Sequence, residues 1–128
     1  MGDVVNHSTA VVKNYTQVPG ALEVYRRTLA AAPNASVVIS SIGFSWNLDA
    51  LLTSPADGLS PLNGRSLVEQ KVQRLVVMGG RYPTSQSPYP GAATWPSGQP
   101  EHNFGFHNVS WSTNATLARW PAETVPIV

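Results

Sequence analysis

Cysteine is absent from the 128 residues, which removes disulfides, thiolate metal sites and a cysteine nucleophile together and leaves the redox compartment undecided. Charge is scarce. Only 12% of residues are Asp, Glu, Lys or Arg, against roughly 25% in a typical soluble domain. The formal net charge is +1 and no run of Lys or Arg occurs, so the electrostatic footprint of a nucleic-acid binder is missing. No apolar stretch approaches the ~18 residues that a membrane span needs. Neither G-x-G-x-x-G nor G-x-x-x-x-G-K-[ST] is present, which disfavours a phosphate cradle. His7, His102 and His107 form no pair on one helical face, so they are expected on the surface or in loops rather than on a metal. The opening Met1 to Asn6 lacks the basic-then-apolar order of a signal peptide, and Asn6 stands where a myristoylation site wants Ser or Thr.

What is present is apolar and interrupted by loops. The hydrophobic class makes up 42% of the chain, enough for a real core in one domain. Combined with so little charge, this points to a buried, strand-rich interior or to a piece of a larger protein. Five N-x-[ST] triplets occur, at Asn6, Asn14, Asn34, Asn108 and Asn114, where composition alone would give about one or two. Loops rich in Ser and Thr produce such triplets freely, and a secreted parent protein would carry them for glycosylation; both readings stay open.

Two short apolar runs read as buried parallel strands, Val37 to Ile42 before Gly43 and Leu75 to Met78 before Gly79-Gly80. Both are β-branched or aliphatic, non-alternating and closed by glycine, as strands covered on both faces should be. A third strand begins at Val125-Pro126-Ile127-Val128. Between them, Pro19 to Ala32 carries Leu22, Tyr25 and Leu29 on one stripe and reads as an amphipathic helix closed by Pro33. Leu48, Leu51 and Leu52 mark a second helix, with Asn47 as a candidate cap and Ser54-Pro55 as its end. Asn63-Gly64-Arg65-Ser66 leads into a short helix over Leu67 to Val72. Ser112 or Thr113 could cap a last helix through Leu117 to Trp120, stopped by Pro121. Alternation of this kind predicts an α/β fold, a parallel sheet with helices on both faces. So few strands suggest one partial domain over 1–128, incomplete at both ends. Positions 81–100 form a Pro-, Ser- and Gly-rich loop after the second strand. That is the edge where open α/β sheets place their ligands, so the loop is expected to be functional.

Three stretches in order carry a resemblance. Ile39-Ser40-Ser41-Ile42-Gly43-Phe44-Ser45-Trp46-Asn47-Leu48 is similar to a strand, a Gly-x-x-Thr-Asn-Leu turn and a leucine-rich helix. Leu75-Val76-Val77-Met78-Gly79-Gly80 is similar to a Val-Met-Gly-Gly strand end. Glu101-His102-Asn103-Phe104 is similar to a Glu-x-Asn-Phe segment. Together, and with Tyr25 to Ala30, Trp120-Pro121 and Val125 to Val128 (reminiscent of fungal members), they resemble the inosine/uridine-preferring nucleoside hydrolases from about Val24 onward.

The resemblance implies a partial three-layer αβα sheet and hydrolysis of the N-glycosidic bond of a ribonucleoside to base and ribose. In the family a Ca²⁺ ion in an aspartate cluster binds the ribose hydroxyls and the attacking water, oxygen ligands suiting a hard cation. Carried over by position, Glu101 and Asn103 bind ribose hydroxyls and Met78 lines the pocket beneath the sugar. Trp46 stands where the family has Thr, whose backbone carbonyl reaches the calcium. Without the resemblance, Met78 reads as core at a strand end, Glu101 and Asn103 as solvated loop residues, and Trp46 as a packing residue at a helix start. Trp95 and Trp111 either cover the pocket or anchor the loop.

The family's Asp-x-Asp-x-x-x-Asp-Asp run has no counterpart here; Asp3, Asp49 and Asp57 are isolated. Without that cage and a general base, the chain is expected to bind no calcium alone and to be inactive alone. The alternatives are a non-catalytic binding module, a subunit whose partner or oligomer supplies a complementary segment, and an unrelated α/β domain. No nucleic-acid or membrane partner is expected.

Overall fold

The computed structural model describes residues 14–79 and 110–128. After a 3₁₀ turn at Tyr15–Gln17 come helix α1 (Ala21–Ala31), strand β1 (Val37–Ser41), helices α2 (Trp46–Thr53) and α3 (Gly64–Lys71), strand β2 (Val72–Val77) and helix α4 (Ser110–Arg119). This is mixed α/β structure built on a small parallel sheet. Helix α1 starts after Pro19-Gly20 and ends where the Ala32 N–H bonds back to the Leu29 carbonyl (3.1 Å), since Pro33 cannot continue the ladder. A tight turn follows. Ala35 adopts a left-handed φ of 50°, and its N–H is held by the Gln70 carbonyl at 2.9 Å.

Strands β1 and β2 pair in parallel, with a register shift between Val37 and Val38. The chain end adds to the far side of β2: Leu75 bridges Ile127 in parallel, and the N–H groups of Leu75 and Val77 donate to the carbonyls of Pro126 and Val128, each at 2.9 Å. The expected third strand is therefore a short parallel partner. It is delivered by a hook in which buried Trp120 donates its indole N–H to the Val125 carbonyl (2.8 Å).

One apolar cluster gathers Leu29 of α1, Leu48, Leu51 and Leu52 of α2, Leu67 and Val68 of α3, Val72 and Leu75 of β2, Ile39 of β1, and Trp120 and Val125. Side chains alternate across a strand, and the opposite positions Val38 and Val76 remain 47% and 37% exposed. The expectation that both faces are covered therefore does not hold at these two valines.

Three local expectations are corrected. Val72 belongs to the strand rather than the helix: α3 ends at Lys71, and Val72 pairs directly with Val37. Asn47 lies inside α2, with Ser45 at the cap position and no side-chain cap bond. Ser112 and Thr113 lie inside α4, which starts at Ser110, and both are buried. Asn63, which the sequence marks only as lead-in to the helix, caps α3, its Oδ1 accepting from the Ser66 N–H at 2.9 Å. Next to it Gly64 is required by close approach, because a Cβ there would lie 1.6 Å from the Leu51 carbonyl oxygen. No helix among the described residues is long and apolar enough to cross a membrane.

Candidate functional site

The carboxyl ends of parallel strands are where an open α/β sheet leaves a crevice for ligand, so the residues that follow β1 and β2 define the place to look. Met78 continues β2, and its N–H donates to the Ser41 carbonyl at 2.9 Å. That bond sets Met78 beside the Ile42-Gly43 turn leaving β1. On the other side, the Val77 N–H to Val128 carbonyl bond brings the last residue to the same edge. Ile42 is 72%, Met78 52% and Trp46 49% exposed. Phe44 and Trp46 hold their rings 5.9 Å apart at a 35° tilt, a geometry that aromatic quadrupoles favour.

Helices α2 and α4 lie side by side in the same direction and begin near one another. Ser45 is buried, its Oγ 3.5 Å from the Thr113 Oγ1, and its carbonyl accepts from the Thr116 hydroxyl at 3.3 Å. One turn further on, Arg119 pairs with Asp49. Trp46 is the first residue of α2. As such it turns its carbonyl along the helix axis toward Ala50, while the amide groups of the first turn open toward the strand ends.

The two stretches Ile39–Leu48 and Leu75–Gly79 are thus joined at the carboxyl edge of the sheet by the Met78 N–H to Ser41 carbonyl bond. Glu101 and Asn103, together with the 81–100 loop, Trp95, Asp3 and all three histidines, lie outside the described residues. Trp111, near the start of α4, is 60% exposed.

A calcium cage needs several carboxylate oxygens gathered at one point. Among the described residues no three His, Asp or Glu side chains come together. Asp49 is taken by Arg119, and Asp57 is taken by Arg26 in a two-pronged contact of 2.7 and 2.9 Å. These aspartates, which look solitary in the sequence, are each neutralised by an arginine. They do not fit a metal.

Arg26 is the principal residue that sequence reasoning passes over. It is 1% exposed, and besides Asp57 it donates to the Ser54 Oγ at 2.9 Å and the Leu62 carbonyl at 3.0 Å. The hydrogen bonds from Arg26, reinforced by the Leu59 and Ser60 backbone amides, outweigh desolvation and lower the Asp57 carboxyl from 3.8 to about 2. The available signal is position: Arg26 lies four residues after Leu22 and three before Leu29, on the stripe that faces the core. The arrangement clamps the loop after α2 onto α1, and its donors and acceptors are already committed, which suits a structural role.

Comparison with family models, with curated proteins and with solved structures gives no match.

Proposed function

We propose that the carboxyl edge of this sheet is the sugar-binding edge of a nucleoside hydrolase-like protein, with Met78 as the pocket floor, Trp46 on its wall and Glu101 and Asn103 as ligands to ribose hydroxyls. In this reading the sheet is part of a three-layer nucleoside hydrolase-like fold. The observation that carries it is the Met78 N–H to Ser41 carbonyl bond of 2.9 Å. It joins two of the three resemblance-bearing stretches at the strand ends, where such sheets bind ligands. An exposed apolar surface of this kind is the usual mark of a binding site.

Carboxylate and amide groups from the 101–103 segment would supply the oxygen and amide contacts that a ribose needs, and the methionine would supply an adaptable apolar floor. A calcium ion, when bound in such proteins, orients the sugar hydroxyls and the attacking water. Its ligands would have to come from beyond Asp49 and Asp57, each of which is held by an arginine, and the Trp46 carbonyl could add a contact through its second lone pair. We therefore assign the chain ribonucleoside binding and no turnover of its own, as a non-catalytic module or as one part of a complete site.

The chain has two methionines, Met1 and Met78, so ¹³C-methyl-methionine spectra contain a single reporter inside the site. Titration with inosine, uridine or ribose is expected to move the Met78 methyl signal and leave Met1 in place, with no free ribose released with or without added Ca²⁺. An unmoved Met78 signal at millimolar nucleoside removes the proposal. Ribose release by the pure chain overturns the inactivity.

A further inference from the structure

We infer that Asn63-Gly64 is a modification site gated by the fold: closed, it resists deamidation, and when the loop held by Arg26 opens it converts without an enzyme, its isoaspartate product then keeping that loop open. This does not rest on the nucleoside reading, since it uses no residue of the carboxyl edge of the sheet.

Asn63 is the one asparagine in the sequence that is followed by glycine, and the fold demands both residues. Helix α3 needs an acceptor for the Ser66 N–H, which the Asn63 Oδ1 supplies. The next position can carry no Cβ, because of the Leu51 carbonyl oxygen against it. Met in succession, these demands set a side-chain amide beside the least hindered kind of backbone nitrogen, and asparagine is among the chemically labile residues. In such a pair the Gly64 nitrogen attacks the Asn63 Cγ. The N–Cγ bond forms, the Cγ–Nδ2 bond breaks, and ammonia leaves with the Gly64 amide proton. Water then opens the five-membered imide. Attack at Cγ gives aspartate, whereas attack at the backbone carbonyl gives isoaspartate, whose main chain runs through Cβ and Cγ.

The folded chain blocks the first step even though Asn63 is exposed. Ring closure needs the Gly64 nitrogen to eclipse Cβ about the Cα–C bond, and the extended ψ of 166° turns it well away. The peptide plane is pinned at both ends: the Gly64 N–H donates to the Ser54 carbonyl at 2.8 Å, and the Asn63 carbonyl accepts from the Leu67 N–H at 2.9 Å. Arg26 holds the same two segments. Its guanidinium donates to the Ser54 Oγ and to the carbonyl of Leu62, the residue before Asn63. Asn63 therefore rotates into a reactive geometry only when this cluster lets go, and the rate follows the population of opened chains. The aspartate product still offers a cap and closes again. Isoaspartate lengthens the main chain by one carbon between Leu62 and Gly64, so Gly64 no longer seats against Leu51.

The full chain, kept folded in mildly alkaline buffer, is compared by peptide mapping and mass spectrometry with a free peptide spanning Ser60 to Leu67. Asn63 is expected to deamidate at least about a hundredfold more slowly in the chain. Arg26→Met is expected to raise that rate at least about tenfold and to speed hydrogen exchange at the Gly64 amide in step. Should that variant fail to fold, Asp57→Asn is expected to raise both rates by a smaller factor, because the side chain it replaces is part-exposed. Deamidation of the intact chain at the peptide's rate overturns the inference, and so does a Gly64 amide that exchanges freely. A folded variant of either kind that deamidates no faster than the parent overturns the gating by Arg26. An isoaspartate-bearing chain that regains the parent's protection at Gly64 overturns the lasting opening.

Discussion

The surroundings of Arg26 and the carboxyl edge of the sheet treat their side chains in opposite ways. Around Arg26 a guanidinium is taken out of water and given a carboxylate, a hydroxyl and backbone carbonyls, and no buried side-chain polar atom among the described residues is left without a partner. At the carboxyl edge, Ile42, Trp46 and Met78 are large apolar groups left facing solvent. A fully satisfied polar cluster fixes one arrangement of the chain. The first region holds the fold, and the second presents apolar side chains to solvent.

Substitutions can break that contrast, beginning where the largest effect is expected. Gly64→Ala would drive a methyl group into the Leu51 carbonyl and the Ser54 hydroxyl that Arg26 uses. Backbone cannot yield cheaply, so the loss is expected to be about 3 kcal/mol or more by urea unfolding. Arg26→Met removes the charge and leaves the carbonyls it served. Breaking a buried pair costs about 3–5 kcal/mol, but Asp57 has a side chain 38% exposed and can regain water, so about 2–3 kcal/mol is expected.

Acid offers a gentler test of the same cluster. Asp57 has a folded-state value lowered from 3.8 to about 2, so its contribution is complete above about pH 4 and fades as the pH falls through about 2. Melting temperature measured downward from pH 5 should fall over that window, and Asp57→Asn should flatten that part of the slope. Trp46→Ala should sit at the other extreme, costing roughly 1 kcal/mol or less in stability while reducing the nucleoside response of the Met78 methyl. A large loss of stability there would make the edge a packing feature and erase the contrast.

Much of the fold is legible in the residues. Val37–Ser41 and the Leu75–Val77 end of β2 announce themselves by aliphatic runs before glycine, and α1 and α2 by leucines at helical spacing, whereas the start of β2 at Val72 reads as helix. Asn63 reads only as part of the lead-in to a helix, yet its short side chain reaches the amide three residues on and caps it. What escapes involves distance. Arg26 sits on an apolar stripe, yet its partner Asp57 is 31 residues away, and nothing local marks the pair. Ser112 and Thr113 have the chemistry of caps but are buried against α2, a fact set by where Ser45 falls. Of the candidate site, the pairing that brings Met78 beside the end of β1 follows from two adjacent parallel strands, whereas Glu101 and Asn103 lie outside the described residues.

The reach of the Arg26 guanidinium bears on how the chain is made. Its partners lie 28 to 36 residues further along, so during synthesis the first helix can form its turns but cannot be anchored until Leu62 has left the ribosome. Until then the stripe from Leu22 to Leu29 has no completed surface to cover it. A pause in translation within that window would lengthen the time this stripe spends uncovered.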